Sequence, residues 1–211
     1  MRKDDWDNYE PVADTKGELR DFPAGSFRED GEISEVGEDF PKDVEPPKPY
    51  FAEDLIEQYT FFRENIHNPK RVFYPCCNLD ISPLRGFPDS EVVLMDNEKG
   101  LREIMEQEGV EQFVSGDVLT YNPNSPFDLV IALNPSLTSR DLTKHISNRG
   151  YVLANNWHNN ASQLLEDNRF EGMGTIDRND KGIYLARRDF SKLEPNQFAT
   201  YFYVFRKLED K

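Results

Sequence analysis

Residues 115–135, SGDVLTYNPNSPFDLVIALNP, contain an almost uninterrupted apolar run from Phe127 to Leu133. A strand that is apolar at nearly every position is typical of the centre of a parallel sheet, because helices cover both of its faces. Gly-Asp ends a shorter strand-like segment just before this run, and Asn-Pro ends the run itself. The stretch therefore predicts a central strand together with one of its neighbours.

Further strand-like and helix-like segments alternate on both sides of this run. Strands that alternate with helices at this spacing predict a parallel sheet with helices on both faces. The other predicted strands lie at 71–74, 91–96, 111–117 and 150–156, and the predicted helices at 50–66, 97–109, 139–148 and 160–170.

The C-terminal part of the chain departs from this alternation. Segments 182–190 and 199–208 both have strand-like sequences, and no helix-like segment separates them. An antiparallel hairpin at one edge of the sheet is the simplest arrangement of such a pair. The predicted fold class is therefore α/β, mostly parallel, with an antiparallel edge hairpin.

The N-terminal residues 1–49 show neither strand nor helix periodicity. Acidic residues, Gly and Pro surround single aromatic residues there, a composition that predicts a flexible acidic arm. The alternative is an arm whose scattered aromatic side chains bind the domain or a partner. In both cases we expect the α/β domain to occupy residues 50–211.

The acidic net charge of the chain limits the kinds of partner that it can bind. The net charge is −15, and residues 1–54 hold 17 acidic against 7 basic residues. An acidic surface repels phosphate groups, so binding to nucleic acids or anionic membranes is disfavoured. No apolar segment approaches the ~20 residues that cross a bilayer, and no signal peptide opens the chain. We expect a cytoplasmic protein without membrane association, and its oligomeric state stays open.

The cysteines and histidines predict neither a disulfide nor a metal site. Cys76 and Cys77 are adjacent, so they cannot easily close an ordinary disulfide, which favours a reducing compartment. We interpret them as small packing residues rather than nucleophiles or ligands. The three histidines, His67, His145 and His158, lack the spacing of metal ligands.

Polar residues follow all five predicted parallel strands. Ligands of open α/β sheets bind beyond the carboxyl ends of the strands, where the strand order reverses. The strand ends are therefore the candidate site. In chain order they read Tyr74-Pro75-Cys76-Cys77-Asn78-Leu79-Asp80, Asp96-Asn97, Gly116-Asp117-Val118, Asn134-Pro135-Ser136 and Asn155-Asn156-Trp157-His158.

Over roughly residues 68–206 this order resembles the class I S-adenosylmethionine-dependent methyltransferases, which have a Rossmann-like sheet. The 22 positions between Tyr74 and Asp96 suit a cofactor loop and helix leading to the acid that binds the ribose hydroxyls in that family. A carboxylate can accept both hydrogen bonds of a vicinal diol. The resemblance implies S-adenosylmethionine as cofactor, with Asp96 and the adjacent Asn97 at the ribose.

The stretch at 115–135 carries the second part of the resemblance. In the family, Gly-Asp ends one strand and an apolar run such as Phe-Asp-Leu-Val-Ile forms the next. The resemblance implies that Asp117 accepts a hydrogen bond from the adenine amino group, with the Val118 backbone beside it. Asn134 would lie near the methionine part of the cofactor or near the methyl acceptor.

The first loop departs from the family pattern. The family has an acid and several glycines here, whereas this chain has Tyr74 at the acid position and no glycine before Gly86. Cys76, Cys77 and Asn78 are small residues that would replace the glycines, and Asn tolerates positive φ well. Asp80 could supply the missing carboxylate, for instance to the amino group of the ligand.

The chain after this loop predicts a short helix. Ser82 fits an N-cap and Pro83 the first helical position, an arrangement that directs backbone N–H groups toward a ligand. Structural interpretations compete at the other strand ends, because Asp96 and Asp117 could each cap the element that follows. His158, beside Trp157, could act as a base near an acceptor or could cap the next helix.

Three functions follow from these observations. The leading hypothesis is a methyltransferase that aligns donor and acceptor for direct displacement, which requires no protein nucleophile. No catalytic residue and no acceptor can be assigned, since NPSL at 134–137 lacks the second proline and the aromatic of amino-group methyltransferases. The alternative is a non-catalytic methyltransferase-like domain that binds partners through its acidic arm. A nicotinamide dehydrogenase ranks third, because no Gly-x-Gly-x-x-Gly follows the first strand.

Overall fold

The computed structural model describes residues 47–133, 135–186, 193 and 201–209. Residues 1–46 of the predicted arm lie outside the described residues, and so does Asn134. The elements, in chain order, are α1 Glu53–Asn65, β1 Arg71–Pro75, α2 Pro83–Gly86, β2 Glu91–Asp96, α3 Leu101–Gln107, β3 Phe113–Ser115, β4 Phe127–Ala132, α4 Ser139–Thr143, β5 Ile146–Ala154, α5 Asn160–Glu166, β6 Phe170–Asn179, β7 Gly182–Ala186 and β8 Phe202–Lys207.

The eight strands form one sheet in the order β3-β2-β1-β4-β5-β8-β6-β7. Strands β1 to β5 are parallel to one another, whereas β8 is antiparallel to both β5 and β6. The chain moves outward from β1 to β3 and then returns to β4 on the other side of β1. The strand order therefore reverses between β1 and β4, and the predicted fold class is confirmed.

The edge hairpin consists of β6 and β7, not of the two C-terminal segments that we expected to pair. The two segments are separated because β6, which the sequence did not predict, lies between β7 and β8. Two glycines interrupt the strand pattern of β6, and its pairing with β8 shifts register between Gly172 and Gly174. A Cβ at Gly174 would lie 2.4 Å from the carbonyl oxygen of Ala186, so the close hairpin contact requires glycine there.

Apolar side chains pack on both faces of the sheet. Val72 points to one face and Phe73 to the other, as the alternation of a strand requires. Helix α1 covers the first face through Tyr59 and Phe62, and α5 covers the second through Leu164. The helices thus lie on both faces, as predicted, and hold the strand ends in fixed positions.

Two helices are shorter than the sequence pattern suggested. Helix α4 ends at Thr143, and Ile146 already begins β5. Helix α5 ends at Glu166, and Phe170 begins β6. The longest described helix, α1, has 13 residues, and no helix in the described part of the chain is long and apolar enough to cross a membrane.

Candidate functional site

The loops that follow β1, β2 and β3 meet at Asp96, the last residue of β2. The backbone N–H of Asn78 donates a hydrogen bond of 2.9 Å to Oδ2 of Asp96. The Asp96 carbonyl accepts a hydrogen bond of 2.9 Å from the N–H of Gly116. The N–H of Cys77 donates to the carbonyl of Met95 at 3.2 Å. The structure therefore brings three of the predicted strand ends together beside the strand-order reversal.

The first loop adopts a backbone that normally calls for glycine. Cys76 has a φ of 55° and Asn78 a φ of 49°, both in the left-handed region. Asn populates this region more readily than most residues, whereas Cys is disfavoured there by the steric clash of its Cβ. The path of the loop thus resembles that of a glycine-rich turn, although no glycine is present.

Asp80 forms a buried hydrogen-bond network below this loop. Its side chain accepts hydrogen bonds from the Tyr74 hydroxyl at 3.1 Å and from the Ser82 N–H at 2.9 Å, and also from the Ser82 hydroxyl. Asp80 is only 4% exposed, and burial raises the pKa of its carboxyl even though these donors oppose the rise. The same burial raises the pKa of Tyr74. These contacts favour a role for Asp80 in holding the loop over a direct contact with a ligand.

Residues Tyr50 to Ala52, just before α1, brace the same loop. The Tyr50 N–H donates to the Leu79 carbonyl at 2.9 Å, and the Ile81 N–H donates to the Tyr50 carbonyl at 3.0 Å. The Ala52 N–H donates to Oγ of Ser82 at 2.8 Å. Sequence reasoning assigned Tyr50 only to a helix, and nothing in the local pattern indicated a pairing with a loop some 30 residues away.

Ser82 and Pro83 open the short helix α2, as predicted. Pro83 is its first residue, but Ser82 makes no side-chain capping hydrogen bond. The Ser82 hydroxyl is engaged with Asp80 and Ala52 instead. With four residues, α2 provides no extended helix dipole toward the site.

Asp96 retains the capacity to bind a ligand. Each carboxylate oxygen accepts one backbone hydrogen bond, Oδ2 from Asn78 and Oδ1 from Glu98 at 3.0 Å. Because a carboxylate can accept about four hydrogen bonds, about two positions remain for a diol. Asn97 is exposed next to it. Helix α3 begins at Leu101 after Gly100, so the expectation that Asp96 caps this helix is wrong, whereas its free acceptor positions are compatible with the ligand-binding interpretation.

Asp117 begins a tight turn after β3. Its Oδ1 accepts a hydrogen bond of 2.9 Å from the Leu119 N–H, and its carbonyl accepts one of 3.0 Å from the Tyr121 N–H. Val118 is buried at 4% exposure, and its side chain packs in the core. Oδ2 of Asp117 remains available as an acceptor at the edge of the sheet.

Both cysteine thiols are held in the protonated form. Burial, with the carboxylates of Asp96 and Asp117, raises the pKa of Cys76 to about 11. Burial raises the pKa of Cys77 further still. Neither thiol is a thiolate at neutral pH, which agrees with a packing role. No group of three potential metal ligands occurs among the described residues.

Buried asparagines organise the ends of β4 and β5. Asn156 accepts hydrogen bonds from the N–H and the hydroxyl of Ser162 at 3.0 and 3.1 Å. The Asn160 amide donates to the carbonyls of Pro135 and Leu137, both at 3.0 Å, and thereby holds the chain that follows β4. Sequence reasoning missed Asn160, since a buried Asn inside a helix has no local signature.

The exposed pair Trp157 and His158 lies after β5. Their ring centroids are 6.1 Å apart in an edge-on arrangement, and Trp157 is 40% exposed. Both side chains are therefore accessible beside the carboxyl edge of the sheet. The position of Asn134, the remaining predicted residue of this edge, is outside the described residues.

Several solved structures that resemble this chain are methyltransferases. The N-methyltransferase NodS from Bradyrhizobium japonicum WM9 matches with a TM-score of 0.51 and 12% identity, over 74% of this chain and 96% of that chain. Its complex with S-adenosyl-L-homocysteine gives the same TM-score over 74% and 87% of the two chains. The O-methyltransferase from Bacillus cereus in complex with SAH matches with a TM-score of 0.50 and 9% identity, over 76% and 84%.

These similarities define the class of fold. The chain has the Rossmann-like fold of the class I S-adenosylmethionine-dependent methyltransferases, as the sequence resemblance implied. No protein-family model and no curated protein sequence matches the chain. With identities of 12% or less, the similarity concerns the fold, and the ligand has to be argued from the site.

Proposed function

We propose that this protein binds S-adenosylmethionine at the carboxyl ends of β1, β2 and β3 and transfers its methyl group to an acceptor. The observation that supports this most is the junction at Asp96. One carboxylate, at the end of the strand next to β1, fixes a loop with glycine-like backbone and still has acceptor positions free, beside the point where the strand order reverses. Complexes of two structural neighbours with S-adenosylhomocysteine add support.

The residues of this edge suit the parts of the cofactor. The free acceptor positions of Asp96 match the two ribose hydroxyls. Oδ2 of Asp117 would accept a hydrogen bond from the adenine amino group, and the left-handed residues Cys76 and Asn78 would let the backbone approach the ligand. Asn97, Val118 and Asn134 remain proposed neighbours of the cofactor.

The protein contributes alignment rather than a nucleophile. When bound, S-adenosylmethionine supplies a methyl group on a sulfonium, which an acceptor takes by direct displacement. Holding the two reactants in line can account for much of the rate enhancement in such a reaction. The exposed Trp157 and His158 would lie on the acceptor side, where an aromatic surface and an imidazole can orient a polar acceptor.

A second candidate function is a non-catalytic methyltransferase-like domain. The observation that favours it is the engagement of Asp80 with Tyr74 and Ser82, because that carboxylate is then not free for the amino group of the ligand. The lack of glycine in the first loop points the same way. Such a protein would keep the fold and act through binding partners, with the acidic arm as its partner surface.

Calorimetric titration with S-adenosylhomocysteine tests cofactor binding. We expect saturable binding with one ligand per chain, and we expect Asp96→Ala to weaken it at least tenfold while the chain remains folded. Asp89→Ala is a matched control, since Asp89 is an exposed acid before the same strand. No binding at millimolar ligand would exclude the methyltransferase hypothesis and leave the non-catalytic one.

A second measurement separates binding from catalysis. Tritium-labelled S-adenosylmethionine is incubated with the protein and with pools of candidate small molecules and proteins, and label transfer is counted. Transfer that disappears in Asp96→Ala supports the enzyme. Tight binding without transfer to any pool favours a domain that binds the cofactor but does not use it.

A further inference from the structure

His145 is a buried histidine between α4 and β5, and its residue exposure is only 2%. Two backbone hydrogen bonds fix its position. Its N–H donates to the Leu142 carbonyl at 3.0 Å, and its own carbonyl accepts a hydrogen bond of 2.8 Å from the Phe127 N–H, at the start of β4. The imidazole is therefore attached to a well-anchored part of the fold.

The imidazole contacts the turn at residues 117–121, which follows β3 and which we call the Asp117 turn. It donates a hydrogen bond to the backbone carbonyl of Val118. It also stacks on the ring of Tyr121, with the centroids 6.1 Å apart. Phe73 of β1 packs against both rings, at centroid distances of 5.1 Å from His145 and 5.5 Å from Tyr121. A side chain from the segment before β5 thus holds a turn that follows β3.

The hydrogen bond to Val118 defines the state of the imidazole. Nδ1 of His145 is buried and has no hydrogen-bond partner in the part of the chain that the structure describes. Nε2 must therefore carry the proton that the Val118 carbonyl accepts. Burial also lowers the pKa of His145, because it disfavours the charged ring. His145 is accordingly suited to act as a fixed neutral donor.

Val118 is the buried residue of a segment that is otherwise exposed at Asp117, Leu119 and Thr120. Within the turn, the N–H of Leu119 donates to Oδ1 of Asp117 at 2.9 Å, and the N–H of Thr120 donates to the Asp117 carbonyl at 3.1 Å. These bonds set the shape of the turn but do not attach it to the core. Val118 attaches it, through its buried side chain and through its carbonyl on His145. The attachment lies one residue after the carboxylate of Asp117.

We propose that His145 is a positioning residue that gives the cofactor site its preference for adenine. This inference rests on the proposed cofactor function, because it concerns the carboxylate of Asp117. By holding Val118, His145 keeps Oδ2 of Asp117 in the orientation that accepts a hydrogen bond from the 6-amino group of adenine. A base with a carbonyl at that position, such as hypoxanthine, presents an acceptor to an acceptor and is disfavoured.

Hydrogen exchange of the full chain without ligand tests whether His145 holds the turn. His145→Phe keeps an aromatic ring in place but removes the donor. We expect the amides of residues 119–121 to exchange about tenfold faster in this variant, while those of β4 keep their protection. His145→Gln, whose amide can still donate, should restore slow exchange. His67→Phe is the matched control, since His67 stacks on Tyr151 at 5.0 Å on the other face of the sheet.

Calorimetric titrations with S-adenosylhomocysteine and with S-inosylhomocysteine, in which an oxygen replaces the 6-amino group, test the consequence for the base. The wild type and His67→Phe should bind the adenine ligand at least about tenfold more tightly than the hypoxanthine ligand. This ratio should approach one in His145→Phe and in Asp117→Ala, and it should recover in His145→Gln. A general loss of stability would weaken both ligands alike and leave the ratio unchanged.

The two measurements separate failure of this inference from failure of the proposed function. If the wild type binds S-adenosylhomocysteine but His145→Phe keeps the wild-type ratio, or exchanges residues 119–121 as slowly as the wild type, the role of His145 is overturned and the cofactor function stands. If the wild type binds neither ligand, the cofactor function fails and the role in adenine preference fails with it. Should His145→Phe not fold, His145→Leu also lacks the donor and replaces it, with the same expectations.

Discussion

The hydroxyl of Tyr74 donates a hydrogen bond of 3.1 Å to Oδ2 of Asp80, six residues further along the chain. Tyr74 occupies the position at which the sequence resemblance implies an acid, and Asp80 supplies a carboxylate inside the loop instead. Both side chains are buried at 4% exposure. The buried hydrogen bonds of Asp80 therefore fix the conformation of the loop. They can stabilise the left-handed backbone of Cys76 and Asn78 without glycine.

Tyr74→Phe should destabilise the domain by about 1.5–3 kcal/mol, the usual range for a hydrogen bond to a charged group. The substitution removes one donor from a buried carboxylate and leaves packing almost unchanged. Denaturant unfolding measures the effect, and Tyr184→Phe on the partly exposed edge strand β7 serves as the control. Equal stability of the two variants would show that Asp80 does not depend on the tyrosine.

Cys76 should react slowly with iodoacetamide at pH 8. The thiolate is the reactive form, and the pKa is raised from 9.0 to about 11 by burial and by Asp96 and Asp117. At pH 8 the thiolate fraction is then about a hundredfold lower than for a thiol with the ordinary value. Alkylation measured by mass spectrometry between pH 7 and 11 should accelerate mainly at the upper end.

Asp96→Asn provides the companion test for Cys76. It removes a negative charge that raises the thiol pKa, so alkylation at a given pH should become faster. Cys76→Ser identifies the modified site, because Cys77 is more deeply buried. If S-adenosylhomocysteine binds as proposed, it should protect Cys76 in the wild type; a rate that is unaffected by saturating ligand would place the ligand elsewhere.

Asp167 should contribute to stability only above acidic pH. The Arg169 guanidinium, at 2.5 Å, and the hydroxyl of Ser139, at 2.8 Å, lower the pKa of Asp167 to about 2. A carboxyl whose pKa is depressed in the folded state stabilises the fold above its unfolded pKa, and this contribution is lost as the pH falls toward 2. Asp167→Asn should therefore cost about 0.5–1 kcal/mol near pH 7 and much less near pH 2.

Urea unfolding across pH 2 to 7 measures this difference. Asp89→Asn, an exposed carboxylate in the turn before β2, is the control. Its stability difference from the wild type should stay nearly constant with pH. A pH-independent loss in Asp167→Asn would show that Asp167 acts through packing or through its neutral hydrogen bonds instead.

The parallel half of the fold could be predicted because its signals are local. Apolar runs such as that of β4 and the polar residues at their ends mark strands and turns directly. The edge hairpin is predicted for the wrong pair of strands because Gly172 and Gly174 interrupt the apolar pattern of β6, and the need for glycine at position 174 arises from its close contact with Ala186. A period-2 pattern gives no information about which strand lies beside which.

In the candidate site, too, residues marked by local sequence signals could be predicted, whereas contacts between distant segments could not. Asp96 and Asp117 could be identified as strand-end carboxylates, since sequence position alone places them at the edge of the sheet. The role of Asp80 depends on a hydroxyl at Tyr74 and on Ser82, and the brace at Tyr50 to Ala52 depends on a contact across some 30 residues. Such hydrogen bonds between distant segments have no periodicity that a sequence pattern could reveal.

The brace at Tyr50 to Ala52 predicts where the N-terminal segment becomes essential. Deletion of residues 1–45 leaves these three residues in place, so cooperative unfolding and the melting temperature should be nearly unchanged. Deletion of residues 1–52 keeps α1 but removes three hydrogen bonds to the first loop. At about 1 kcal/mol each, and about 2–4 °C per kcal/mol for a domain of this size, the melting temperature should fall by about 6–12 °C.

Differential scanning calorimetry of the two truncated chains distinguishes the possible roles of the arm. A loss of cooperative melting in the chain that lacks residues 1–45 would show that the arm is part of the domain. Equal melting temperatures for both truncations would mean that the hydrogen bonds of the brace add nothing to stability. If only the longer deletion weakens both stability and S-adenosylhomocysteine binding, the brace supports the loop that the proposed cofactor site requires.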